Sequence, residues 1–248
     1  MTAVVTWNVQ PRAAWRVCLG AGLVIVLLTF MSGQQSIAQP CGGLAKNYAP
    51  IIAFELARSE ADLQLIFGLP GDCREQVIAR MDSINWIDVL VFIPVYGTFL
   101  VSFFIGARAW NIALADIGVK LAIAAIASDY LENVCLMLLT PALDASSIWL
   151  QLLPWATAAK WLALGSVAAI AGFTFIAPRP RKSLLPATLA TLATLAALIC
   201  WIALLVAIAA LWQPQRFGPV LSPAVGASWV VFLIVAFTQV LRKSATPP

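Results

Sequence analysis

Histidine is absent from this 248-residue chain. That removes histidine-ligated haem, histidine-held zinc and di-iron sites, and the Ser–His and Cys–His nucleophile pairs. Charge is scarce: 10% of the residues are Asp, Glu, Lys or Arg, against about 25% in soluble domains. The five cysteines, Cys18, Cys41, Cys73, Cys135 and Cys200, form no C-x-x-C pair, which argues against structural zinc and iron–sulfur sites. No nucleotide-binding glycine motif occurs. ATP-driven, metal and flavin chemistry are therefore not expected, and neither cofactor nor metal is assigned. Nor is there an inverted repeat, the hallmark of many transporter designs. The net charge of +4 is modest. Basic residues gather at the ends of apolar runs, so they read as topology signals and not as a nucleic-acid surface.

What the chain does have is apolar sequence: 62% hydrophobic residues and a mean hydropathy of +0.92. The runs are long and continuous, unlike the alternating strands of about 10 residues in membrane barrels. The fold class expected is all-α, a polytopic transmembrane helical bundle. Six spans are read at 17–33, 86–107, 117–140, 149–177, 184–212 and 223–241, with a loop at 213–222. The first run has a second reading. Arg12 and Arg16, an apolar stretch and Ser36-Ile37-Ala38 also fit a cleavable signal peptide. If six spans alternate, Arg12, Arg16, Arg108, Lys120, Arg179, Arg181, Lys182, Arg242 and Lys243 fall on one side. The positive-inside rule makes that side cytoplasmic, with both termini. The expected location is a bacterial inner membrane.

Residues 34–85 read as a small helical cap lying on the outer membrane face. Pro50 suits a first helical turn. Ser59 with Asp62, and Asp72 with Glu75, read as capping boxes. Gly68 is a helix stop. Ile52, Leu56, Leu63, Ile66, Val77, Met81 and Ile84 recur at helical spacing. Glu55 reads as a surface or cap-packing residue. In an oxidising compartment Cys41 and Cys73 read as a disulfide, with two free thiols as the alternative.

The third span carries Asp129, Glu132 and Asn133. Spacing of i, i+3 and i+4 puts them on one helix face, and carboxylates in hydrocarbon need partners, water or protons. At 1.5 Å per residue, Lys160 on the next helix matches their depth, and helices joined by short loops pack together. Lys160 is therefore expected to reach Glu132 or Asp129. Tyr96 lies at similar depth on a helix that Pro94 should kink, and it can donate to a carboxylate. Asp88 is expected nearer the outer mouth, pairing with the cap. Two carboxylates facing one lysine would leave one of Asp129 and Glu132 holding a proton at pH 7. Gly118, Ala122, Ala125, Ala124 and Ser128 should permit close helix contact.

Three stretches resemble a family of bacterial multi-pass membrane proteins of unassigned function. They are FELARSEADL at 54–63, DVLVFIPVYG at 88–97, and D-x-L-E-N at Asp129 to Asn133. The resemblance covers about residues 50–140 and implies a shared fold core. Sterol isomerases of the emopamil-binding type supply a mechanistic analogy, since polar groups in a helical bundle move protons on a lipid there. They rely partly on histidine, so the analogy stops at chemistry.

The catalytic set read from the sequence is Asp129, Glu132, Asn133, Lys160, Tyr96 and Asp88. The leading function is acid–base chemistry on a lipid-soluble substrate, of isomerase or cyclase type. The alternatives are a proton-coupled small-molecule carrier and a structural or assembly subunit of a membrane complex. The expected partners are membrane lipid and that substrate, with a membrane protein neighbour under the last alternative.

Overall fold

A computed structural model describes residues 11–34, 41–144, 146–177 and 187–242. These residues are helical or loop, with no strand among them. The helices are α1 (Pro11–Gln34), α2 (Pro50–Glu55), α3 (Glu60–Phe67), α4 (Asp72–Ile87), α5 (Ile93–Ala107), α6 (Ile112–Leu139), α7 (Ile148–Ile176), α8 (Ala187–Trp212) and α9 (Pro214–Leu241). A π-helical turn, Asp88–Phe92, joins α4 to α5 without a break.

Among the described residues, five helices are long and apolar enough to cross a membrane: Pro11–Met31, Asp72–Ala107, Ile148–Ile176, Ala190–Trp212 and Pro214–Leu241. α6 has the length, at 28 residues. Asp116, Lys120, Asp129 and Glu132 set it apart in composition.

The long helices close into a ring. α1 packs on α5, α5 on α6, α6 on α7, α7 on α8, α8 on α9, and α9 back on α1. Small residues and rings seal the seams. Gly118 on α6 faces the Phe104 ring so closely that a Cβ there would overlap it. Ala122, Ala125 and Ser128 are buried on the same stripe, whereas Ala124 is exposed. Trp15 of α1 sits edge-on to Phe103 at 5.5 Å.

Several boundaries differ from the sequence reading. α6 begins at Ile112 and not at 117, because Asn111 caps it and accepts from the Leu114 N–H at 3.1 Å. The second span is one helix from Asp72 to Ala107, so it starts well before 86. The box expected of Asp72 and Glu75 does not form. Gly71, at φ 148°, holds the cap position, and both acids lie in the first turn, where they favour the helix dipole. The loop expected at 213–222 is helix. Pro214 starts α9 at once, and Pro219 and Pro223 sit inside it as proline is tolerated in membrane-type helices. Ser36-Ile37-Ala38 lies outside the described residues.

In the segment expected to form the cap, a disulfide joins Cys41 to Cys73, with Cα atoms 6.0 Å apart. Ser59 caps α3, accepting from the Asp62 N–H at 3.3 Å, while the Asp62 carboxylate accepts from the Arg58 N–H at 3.0 Å. Gly68 ends α3 at φ 68°. α2 does not lie on the surface as expected. Its residues Pro50, Ile52, Ala53, Phe54 and Glu55 are buried, in contact with α6, α7 and α9. A six-residue helix with one polar side chain has no polar face to leave in water, so it plugs the mouth of the ring. Arg58 follows α2 and donates to the Leu211 carbonyl at the end of α8.

Candidate functional site

The polar centre forms where α2, α5, α6 and α7 converge. On α6 the i, i+3, i+4 spacing presents Asp129, Glu132 and Asn133 together, and all three are buried. α7 brings Lys160 to them. Its Nζ lies 2.5 Å from Glu132 Oε2 and 3.0 Å from Asp129 Oδ1. Tyr96 donates to Asp129 Oδ2 at 2.8 Å. Asn133 Nδ2 donates to Asp129 Oδ1 at 3.1 Å and to Asp88 Oδ2 at 2.9 Å. The six residues read from the sequence are thus brought together, with Asp88 reached only through Asn133.

Two placements correct the sequence reading. Glu55 is not a surface residue. It is 5% exposed, and its Oε1 lies 3.2 Å from Lys160 Nζ. Its Oε2 accepts from Trp161 Nε1 at 3.0 Å, and its carbonyl accepts from the Thr157 hydroxyl at 2.8 Å. One signal could have found it: Glu55 is the lone charge in IIAFELA, residues 51–57, so it needs a buried partner. Asp88 turns toward α6 and not toward the cap, and is half-buried.

The π-helical turn explains where Asp88 sits. Pro94 has no N–H to give to residue 90. The expected kink appears as a wider turn just ahead of it, where the Ile93 N–H bonds the Asp88 carbonyl. Such single wide turns recur at functional sites. Trp229 of α9 stacks on Tyr96 at 5.5 Å and was not singled out in the sequence, because one tryptophan among ten carries no positional signal.

Charge is out of balance here. Three carboxylates contact one ammonium, and full ionisation would leave excess negative charge away from water. Glu55, on the cap helix, has its carboxyl pushed above the usual range by burial; Lys160 pulls it back and Asp129 adds to the rise. Hydrogen bonding is unbalanced in the same sense. Glu132 Oε1 and Asn133 Oδ1 are buried acceptors without a donor. Protons are what both deficits call for. As built, the centre can hold a proton, hand it on between acceptors, and keep an ammonium beside it.

One cavity of about 540 Å3 lies between residues 60–74 and the turn after α6, and another of about the same volume lies within residues 41–69. One is lined by Glu60, Arg74 and Asp144 among others, the second by Cys41 and Gly68. Neither includes a residue of the polar centre. No group of acidic or cysteine side chains among the described residues is arranged to hold a metal ion. No family model, no curated protein and no solved structure matches the chain.

Proposed function

We propose that the chain is a six-span protein of a bacterial inner membrane that performs acid–base chemistry on a lipid-soluble substrate, an isomerisation or a cyclisation. α6 is the sixth span. At about 42 Å it is longer than the hydrocarbon core of about 30 Å, and its buried Asp129 and Glu132 both contact Lys160. The cap lies outside, where a disulfide persists, and both termini are cytoplasmic. The observation that carries the reading is the proton-deficient centre with Asp88 at its edge. Asp88 is the member least withdrawn from the surroundings, and the neighbouring Leu90 and Leu131 are exposed. A substrate meeting Asp88 from the lipid side would exchange a proton there. Asn133, donating to both carboxylates, would hold Asp88 beside Asp129; Asp129 and Tyr96 would share the proton within the centre, and Lys160 would hold the remaining charge.

The test is untargeted. Purified protein in a total bacterial lipid extract is incubated in D2O, and the lipids are compared by mass spectrometry. Wild type should add deuterium to one lipid class or change its retention, and Glu132→Gln and Asp88→Asn should not. No change in any lipid would refute the enzyme reading.

A second reading has its own support. Glu55 and Lys160 tie the cap to the bundle, so the centre also serves as a register lock. Under that reading alone, paired substitutions that remove the charges together would leave every cellular function intact.

A further inference from the structure

We infer that protons reach the polar centre from the cap side alone, along a polar seam between α4–α5 and α6. This rests on the acid–base reading of that centre and adds where its protons come from.

Three cross-links mark the seam in register. Thr140 donates to Asp82 Oδ1 at 2.7 Å near the cap end. Asn133 donates to Asp88 at 2.9 Å further in. Tyr96 donates to Asp129 at 2.8 Å at the bottom. Between the first two lies Asn85, 1% exposed, whose Nδ2 has no acceptor. A buried amide donor left over on this face, three residues from each of two acids, orients a carrier oxygen and does not pack a core.

The opposite end is built differently. Below Asp129, α5 meets α6 through Gly97 against Ile126 and through Phe104 against Gly118. Leu100, Phe103, Ala122 and Ala125 are buried there. The hydroxyls in this half are spent on their own helices: Ser128 on Ala124 O at 2.7 Å, Ser102 on Thr98 O at 2.6 Å, Thr174 on Ala171 O at 2.7 Å. Among the described residues no carboxylate, lysine or arginine is buried there; the Cys18 thiol is, against Ser102, and the Arg108–Asp116 pair sits half-exposed at the far rim.

The elements packed on the centre face it as follows: α9 brings only the Trp229 ring, and α6 adds the buried Cys135 thiol near Glu132 to its carboxylates. α2 supplies Glu55 and α7 supplies Lys160. α6 supplies Asp129 and Glu132, and the span facing it supplies Asp88 and Tyr96. The seam connects to this set through Asp88.

The experiment uses full-length protein in sealed proteoliposomes, sorted by whether protease reaches the cap. Infrared spectroscopy follows the protonated-carboxyl band after a pH step on one face, with impermeant buffer. The band should follow a step on the cap face and ignore one on the other. Asn85→Leu should slow the response about tenfold or more, a barrier increase of about 1.4 kcal/mol. Should that variant not fold, Asp82→Asn tests the same seam. A band that follows the opposite face, or that responds at wild-type speed in both variants, overturns the inference alone. No titrating band on either face overturns it together with the acid–base reading.

Discussion

Lys160 of α7 and Glu55 of the cap helix α2 lie 3.2 Å apart, although 105 positions separate them along the chain. The same ammonium holds Glu132 and Asp129 on α6. One side chain therefore fastens the plug to the ring, and its loss exposes the whole arrangement.

Lys160→Met should destabilise the folded protein by about 3 to 5 kcal/mol, since removing one partner of a buried pair strands the other. Lys160→Met with Glu132→Gln should be less destabilised than Lys160→Met alone. Recovery should be partial, because Glu55 and Asp129 remain. Denaturant titration of purified protein in detergent reads both. A double variant no more stable than the single one would contradict the pairing.

Stability should fall as pH rises, through Glu55. Burial raises its carboxyl in the folded state above the ordinary value of 4.5, so the folded protein binds that proton more tightly than the unfolded chain does. The unfolded state then binds fewer protons, and the slope of stability with pH is negative from about 4.5 upward. Melting temperature measured between pH 5 and 8 should drop in wild type and drop less in Glu55→Gln. Equal slopes would count against a buried Glu55.

Much of the site was legible because cost forces a pattern. A charge in an apolar run must find a partner, and depth along neighbouring helices named Lys160 for Glu132 and Asp129. The same logic holds for Glu55, yet a short run beside a turn reads as cap. Its burial depends on α2 entering the ring, a tertiary fact with no local signature. Asn111 and Gly71 moved helix starts through single caps. Pro214 erased a loop because proline marks helix starts as readily as turns. The π-helical turn follows from Pro94, though proline alone does not say whether a helix kinks or widens.

Reducing the Cys41–Cys73 bond, or replacing both cysteines with serine, should cost about 3 to 4 kcal/mol by loop-entropy arithmetic over a separation of 32 residues. Denaturation with and without reductant measures it. Non-reducing peptide mapping that finds both thiols free, in protein from an oxidising compartment, would refute the bond.

Gly118→Ala should force the Phe104 ring aside and cost about 1 to 3 kcal/mol, as overpacking does. Thermal unfolding in detergent checks it. An unchanged midpoint would mean that α5 and α6 do not meet as closely as described.

The central claim is that the buried centre holds protons at neutral pH. Infrared spectra of folded wild-type protein at pH 7 test it directly, compared with Glu55→Gln, Asp129→Asn and Glu132→Gln. A protonated-carboxyl band that shifts in D2O, and that weakens or moves in at least one of the three variants, is the expected result. A spectrum in which all three carboxylates are ionised beside Lys160, with no such band, would contradict it.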